Sequence, residues 1–370
     1  MADYLKLFKN ENEYTQWQNS DNYITPNVCK IEENNTILYN KYEGIDYSTQ
    51  YLTIESLEND NQVSFANDIM YSTDGSSWDT LTSGESLLLN SGDEVKFKLN
   101  NPTVSEYGIG TFSATKQYNV KGNVMSLLYG DDFIGKTDLS MFGGNVLSIL
   151  FNSSTTLVNA KDLILPATTL VGSCYKYMFE GCTKLTTAPE LPSTTLAEYC
   201  YHSMFNGCSS LTTAPELPAT TLADSCYYRM FNGCSSLTTA PELPATTLAN
   251  SCYSEMFSGC SSLTTTPDLP ATRLKKNCYY GMFHGCKSLT TAPELPATTL
   301  GEYCYESMFN GCSKLNNITM LATDISATYC LSNWVSNVAS TGTFTKNANM
   351  NSLPSGVNGI PEGWTVNNYE

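Results

Sequence analysis

Residues 226–251 read CYYRMFNGCSSLTTAPELPATTLANS, and the same frame returns along half of the chain. Cysteines stand at 174, 200, 226, 252, 278, 304 and 330, and a second series stands at 182, 208, 234, 260, 286 and 312. Both series step by 26 residues. Self-similarity at a fixed period of 20 to 50 residues is the mark of a solenoid, in which each unit buries its apolar side chains only against its neighbours. Everything else in the sequence leads into that array, caps it or carries it.

Within one unit, Leu222, Cys226 and Met230 follow an i, i+4, i+8 spacing, with Tyr227 and Phe231 as a neighbouring i, i+4 pair. This periodicity predicts a helix of two to three turns. Thr220 or Thr221 would cap its start and Gly233 would end it. Leu237 to Leu243 is expected to be extended, in a ladder kept short by Pro241 and Pro244, which lack amide hydrogens.

The repeated blocks CYKYMFEGCTKL, CYHSMFNGCSSL, CYYRMFNGCSSL, CYSEMFSGCSSL, CYYGMFHGCKSL and CYESMFNGCSKL carry a family likeness. They resemble the BspA-like leucine-rich-repeat surface proteins over residues 147–335. The resemblance implies a right-handed α/β solenoid, each repeat a strand followed by a helix. The asparagine position of plant and mammalian leucine-rich repeats is not evident, so their ligand rules do not transfer. LFNSSTTL at 150–157 aligns with MFNGCSSL at 204–211 and marks an imperfect leading cap. At the far end CLSNWVSN puts Trp334 and Val335 where Met and Phe are due, and TGTFTK and GIPEGWTV predict two closing strands.

Residues 46–130 hold short alternating runs, YLTIESL, QVSFAN, IMYS, SLLL, EVKFKL and GTFSA, separated by turn signals such as Asp74-Gly75. They predict a small all-β sandwich, and IMYSTDGSSWDTL resembles a hairpin of the Ig-like modules found beside surface repeats. Residues 1–45 contain LKLF, a polar stretch expected to be helical from Asn10 to Asn19, and VCKIEE and TILYNKY around Asn34-Asn35, a hairpin pattern. This segment is similar to the N-terminal part of virion-associated proteins of phages infecting gut Bacteroidetes, which implies an anchoring role. The expected fold class is therefore α+β and multidomain. An anchor at 1–45 precedes an Ig-like sandwich at 46–130, a solenoid with its leading cap at 131–330 and a C-terminal cap at 331–370.

A formal net charge of −17 argues against nucleic-acid binding, which needs clustered Lys and Arg. It also argues against docking on an anionic membrane, and no apolar run is long enough to span one. MADYLKLFKNENEYTQW lacks the apolar core of a secretory signal, so a chain that reaches the outside of a cell is expected to do so without a Sec-type leader or to have lost one. Of 14 cysteines, 13 are locked to the repeat, and they read as reduced, packed thiols. Only His202 and His284 are available for a Cys–His pair, and their neighbouring cysteines are copies of others that have no histidine. The spacing of the cysteines is too wide for a zinc knuckle. No catalytic residue, metal or cofactor is expected.

Two ladders are candidate binding rows. One is acidic: Glu190, Glu216, Glu242, Asp268 and Glu294, each between Pro and Leu. Alternation with an inward Leu points these carboxylates outward. The other is aromatic: Tyr175, Tyr201, Tyr227, Tyr253, Tyr279 and Tyr305, which would stack on sugars or a partner if exposed and would pack half-buried if not. The pairs at 198/199, 202/203, 224/225 and 228/229 vary from unit to unit, a pattern that either tunes a partner or reflects freedom from constraint.

The functional expectation is a non-enzymatic phage virion protein: a head fibre, tail fibre or capsid decoration. Residues 1–45 would hold other virion proteins, and the solenoid would meet host-surface or mucosal glycan or protein. A homo-oligomer is compatible with this reading. The alternatives are a bacterial cell-surface or secreted adhesin and an intracellular protein-binding scaffold.

Overall fold

The computed structural model describes residues 5–8, 30–33, 36–40, 46–99 and 102–369. The chain forms two compact units, Met1–Thr49 and Gln50–Glu370. In the first, β1 (Leu5–Phe8), β2 (Lys30–Glu33) and β3 (Thr36–Asn40) form an antiparallel sheet ordered β1-β3-β2. β2 and β3 pair antiparallel, with Glu33 opposite Thr36. The helix expected over 10–19 lies outside the described residues.

The second unit opens with short strands. They are β4 (Leu52–Ser56), β5 (Asn61–Phe65), β6 (Ile69–Ser72), β7 (Asp79–Leu81), β8 (Leu87–Leu89), β9 (Glu94–Lys98), β10 (Phe112–Ala114) and β11 (Tyr118–Asn123). One sheet runs β10-β5-β8 and the other β11-β4-β9-β6-β7. Their inner faces meet through Phe112, whose ring lies 4.6 Å from Phe65 and 4.9 Å from Phe97. Gly122 is obligatory in β11, because a Cβ there would lie 2.0 Å from the carbonyl oxygen of Tyr51 and φ is +83°.

No break follows at 130. A four-residue helix α1 (Ser126–Tyr129) leads on, and β11 pairs in parallel with β12 (Leu157–Asn159) and β13 (Leu163–Ile164) of the leading cap. Phe112 stacks on Phe151 of that cap at 5.7 Å. The β-rich segment and the array thus share one hydrophobic core, where the sequence reading placed a domain boundary.

The expected helix of each repeat does not form. Residues 225, 227, 229, 231 and 233 donate their amides to carbonyls of the next coil, as in Tyr227 to Cys252 and Phe231 to Met256. Residues 226, 228, 230, 232 and 234 donate within the coil to the carbonyl three residues back. An α-helix needs every amide to reach back four residues. Here half of them are committed to stacking. Ser225, Arg229 and Gly233, four apart, also adopt positive φ of 55°, 55° and 73°. Each such residue turns the chain, so apolar side chains recur every fourth position, as in a helix, without one being present. The same triplet of left-handed residues appears at Asn145, Ile149 and Ser153 in the leading cap and at Tyr329, Asn333 and Asn337 in the last coil.

The opposite side of each coil is extended, and neighbouring coils touch there through isolated parallel bridges such as Thr187↔Thr213, Thr239↔Thr265 and Thr195↔Thr221. Prolines in PELPA keep these bridges from growing into long strands. Regular pairing resumes only at the exit, where β14 (Asn317–Met320), β15 (Thr343–Asn347) and β16 (Thr365–Tyr369) form a parallel sheet in that order.

Columns of identical side chains fill the interior. Phe179, Phe205, Phe231, Phe257, Phe283 and Phe309 stack at 5.4–5.8 Å with nearly parallel rings. The column starts on Phe151 and ends on Trp334, so aromatic rings run unbroken from the β-rich segment to the exit cap. All thirteen repeat cysteines are buried and free. In the second series each thiol donates to a phenylalanine carbonyl of the preceding coil, from Cys182 to Phe151 (3.1 Å) through Cys312 to Phe283 (3.0 Å). These cysteines are therefore small apolar fillers that also satisfy an acceptor.

The tyrosine column is less well satisfied. The hydroxyls of Tyr175 and Tyr253 are buried without a partner among the described residues. Removing an unpaired buried hydroxyl while keeping the ring relieves a desolvation cost of about 1–3 kcal/mol. Tyr253→Phe is therefore expected to raise the urea midpoint, and an unchanged or lower midpoint would refute this reading.

Candidate binding surface

The structure separates the two candidate rows. Glu190, Glu216, Glu242, Asp268 and Glu294 are all exposed, while the leucine after each, from Leu191 to Leu295, is buried. In the PELPA segment Glu and the second Pro face out and Leu and Ala face in, as extended backbone dictates. The carboxylates share this surface with exposed threonines such as Thr212, Thr213, Thr220 and Thr221. No cation pairs with the acidic row among the described residues, and none of its members belongs to a cluster able to hold a metal ion.

The tyrosine row is not on the surface. Tyr175, Tyr201, Tyr227, Tyr253, Tyr279 and Tyr305 are 1–2% exposed and stack on one another at 5.7–6.1 Å. Burial pushes their hydroxyl pKa values well up. Each follows an inward cysteine, and in this turn run two consecutive side chains enter the core before a left-handed residue reverses the chain. A sugar or a partner protein cannot reach these rings while the array is folded, which corrects their assignment as a binding row.

The aromatic groups at the surface are different ones, on the variable positions. His202 stacks on Tyr228 at 4.8 Å, meets Tyr177 edge-on at 5.2 Å and lies 5.6 Å from Tyr199. Lys176 Nζ sits 4.9 Å from the Tyr177 ring centre and 5.6 Å from that of Tyr199, and the Arg229 guanidinium lies 5.1 Å from Tyr228. Cations over aromatic faces are held by the ring quadrupole. Glu255 closes the cluster: its carboxylate takes two hydrogen bonds from Arg229, at 2.9 and 3.0 Å, and one from the Tyr228 hydroxyl at 3.1 Å. Further along, Lys276 lies over Tyr303 and pairs with Glu302, and Tyr303 stacks on Tyr329.

His202 is neutral at physiological pH. Burial, and then the nearby charges of Lys176 and Arg229, pull its pKa down to about 4. Its Nδ1 is buried without a partner among the described residues. The patch is half-buried except for the exposed Tyr199. Such flat rings edged by charged groups are suited to recognition, and the repeat thiols are shifted upward by burial. The sequence signalled these positions by their variability, but the regular tyrosine after each cysteine drew attention to the wrong aromatic row.

A family match is found with the BspA type leucine rich repeat region, in six copies, over residues 155–290 and 227–357. A crystal structure of a leucine-rich repeat protein from Bacteroides ovatus aligns at 17% identity with a TM-score of 0.27. That alignment covers 60% of this chain and 64% of the other, so the chain spans less than two thirds of its length. No curated protein matches. Because the family match extends over more than half of its residues, the chain belongs to the BspA-type leucine-rich repeat family.

Proposed function

We propose that this chain is a non-enzymatic adhesion protein that meets its partner through the aromatic and cationic patch of Lys176, Tyr177, Tyr199, His202, Tyr228 and Arg229. The observation that carries the reading is the clustering of rings and cations on outer positions of successive coils. In later coils the equivalent positions hold Ser254, Tyr280, Gly281, Glu306 and Ser307, with no cation among them. Tyr and Arg are the residues that most often dominate binding energy at interfaces. Membership of a family whose proteins are typically surface-exposed or secreted supports an extracellular partner, and host-surface or mucosal glycan or protein fits that setting. No helix among the described residues is long and apolar enough to cross a membrane.

Residues 1–45 resemble the N-terminal segments of phage virion proteins, which supports a head-fibre, tail-fibre or decoration role with this segment as anchor. Mass spectrometry of purified virions decides it, because absence of the chain would leave the bacterial cell-surface adhesin in its place. The acidic row is read as a second surface, for a basic partner.

Binding to immobilised mucin and to host-cell surface extracts is the direct assay. The double variant Tyr199→Ala, Tyr228→Ala is expected to weaken capture by about tenfold or more, with the melting curve nearly unchanged. Replacing the five acidic side chains by amides tests the other surface in the same assay. Full binding by the tyrosine variant removes the patch from the proposal.

A further inference from the structure

β16 is an edge strand of the parallel sheet, pairs among the described residues with β15 alone and has all five residues exposed. Its outer edge therefore presents backbone donors and acceptors that no strand among the described residues meets. Val366 lies in register with Phe344, a core residue at 0% exposure, yet is itself 44% exposed. Val357 and Tyr369, at 45% and 44%, add apolar surface in the same cap. Natural edge strands are usually guarded by a lysine, a proline or a bulge. Thr365, Val366, Asn367, Asn368 and Tyr369 include none of these and carry no charge.

We propose that β16 is a dimerisation strand, paired antiparallel with β16 of a second copy about a two-fold axis through Asn367. In this register Thr365 faces Tyr369, Val366 faces Asn368 and Asn367 faces its own copy, so no like charges are opposed. The result is one six-stranded sheet, β14-β15-β16 followed by the same three strands in reverse. A two-fold axis perpendicular to the sheet keeps both core faces on one side, so Val366 of each copy is covered by the other. Two bodies of formal charge −17 repel, and β16 itself adds no charge to the contact. A two-fold interface also needs a self-complementary patch, which this strand supplies.

The test is the mass of the full chain in solution, by sedimentation or light scattering, from about 1 to 100 µM, the range in which modest interfaces populate. A dimer is expected, and Val366→Lys is expected to make it monomeric while leaving the circular-dichroism spectrum and melting curve in place. Asn367→Cys, at the axis, is expected to form a disulfide-linked dimer on mild oxidation beyond anything the unaltered chain shows. A monomer at every concentration overturns the proposal and leaves the edge to another protein. A dimer that survives Val366→Lys, or an Asn367→Cys variant that does not cross-link, places the contact elsewhere and overturns it equally.

Discussion

Raising the pH to about 10 is expected to unfold the array in one steep step. Six thiols, Cys174, Cys182, Cys226, Cys260, Cys278 and Cys312, are pushed from 9.0 up to about 12 by burial. Cys200, Cys208, Cys234, Cys252 and Cys286 are pushed well up by burial and by their stacked neighbours. A folded-state value above the unfolded one means that the stabilisation is complete below pH 9 and is lost as pH rises from there toward 12. One unit above the unfolded value, each fully buried thiol has given up about 1 kcal/mol. Some ten such groups together match the roughly 5–15 kcal/mol that holds a typical domain folded. The buried tyrosines shift the same way and steepen the loss. Circular dichroism and thiolate absorbance should change together over a narrow interval. Thiols that titrate gradually in a protein still folded at about pH 11 would sink the argument.

Trp334→Ala should be the most damaging single substitution in the exit cap. The indole is completely buried, closes the tyrosine column at 6.4 Å from Tyr305 and the phenylalanine column at 6.1 Å from Phe309, and meets Phe344 edge-on. Its Nε1 donates to the Gly359 carbonyl at 2.9 Å, which ties the final loop to the last coil. Removing an aromatic side chain of this kind costs about 3–5 kcal/mol, and the stranded carbonyl adds about 1 kcal/mol. In a stacked array each coil is held only by its neighbours, so the loss is local first. Hydrogen exchange should accelerate across residues 330–369 before it changes around Tyr201, and a urea melt should gain an early phase. A single unshifted transition would show that the cap does not depend on the indole.

These two effects come from parts of the molecule that the sequence revealed unequally. The period, the inward cysteines, the outward Glu216 and its equivalents, and Trp334 as a cap were all readable, because a solenoid repeats its environment whenever it repeats its residues. The backbone was not. Cys226, Met230 and Cys234 have helical spacing, and nothing in that spacing distinguishes a helix from linked four-residue turns. Only the left-handed backbone at Ser225 and Arg229, which neither residue type advertises, separates the two. Tyr227 and Tyr228 show the same limit: adjacent and identical, one is buried in the column and the other lies on the outer patch. Their fates depend on where the turn falls.

The alternation of amides has a further consequence for how such an array can change length. Within the turn run, odd and even residues have different obligations: one set bonds upward, the other inward. Loss or gain of one residue there exchanges the two sets for the remainder of the run, and both networks fail together. On the extended side coils touch through isolated bridges, and no such alternating network of amides has to be kept. The departures from strict spacing fall around it: the bridge Asn159↔Thr187 spans two residues more than Thr187↔Thr213, and Thr299↔Asp324 spans one fewer. The turn run thus acts as a reading frame written in hydrogen bonds, kept at a fixed length while the departures in spacing gather on the extended side.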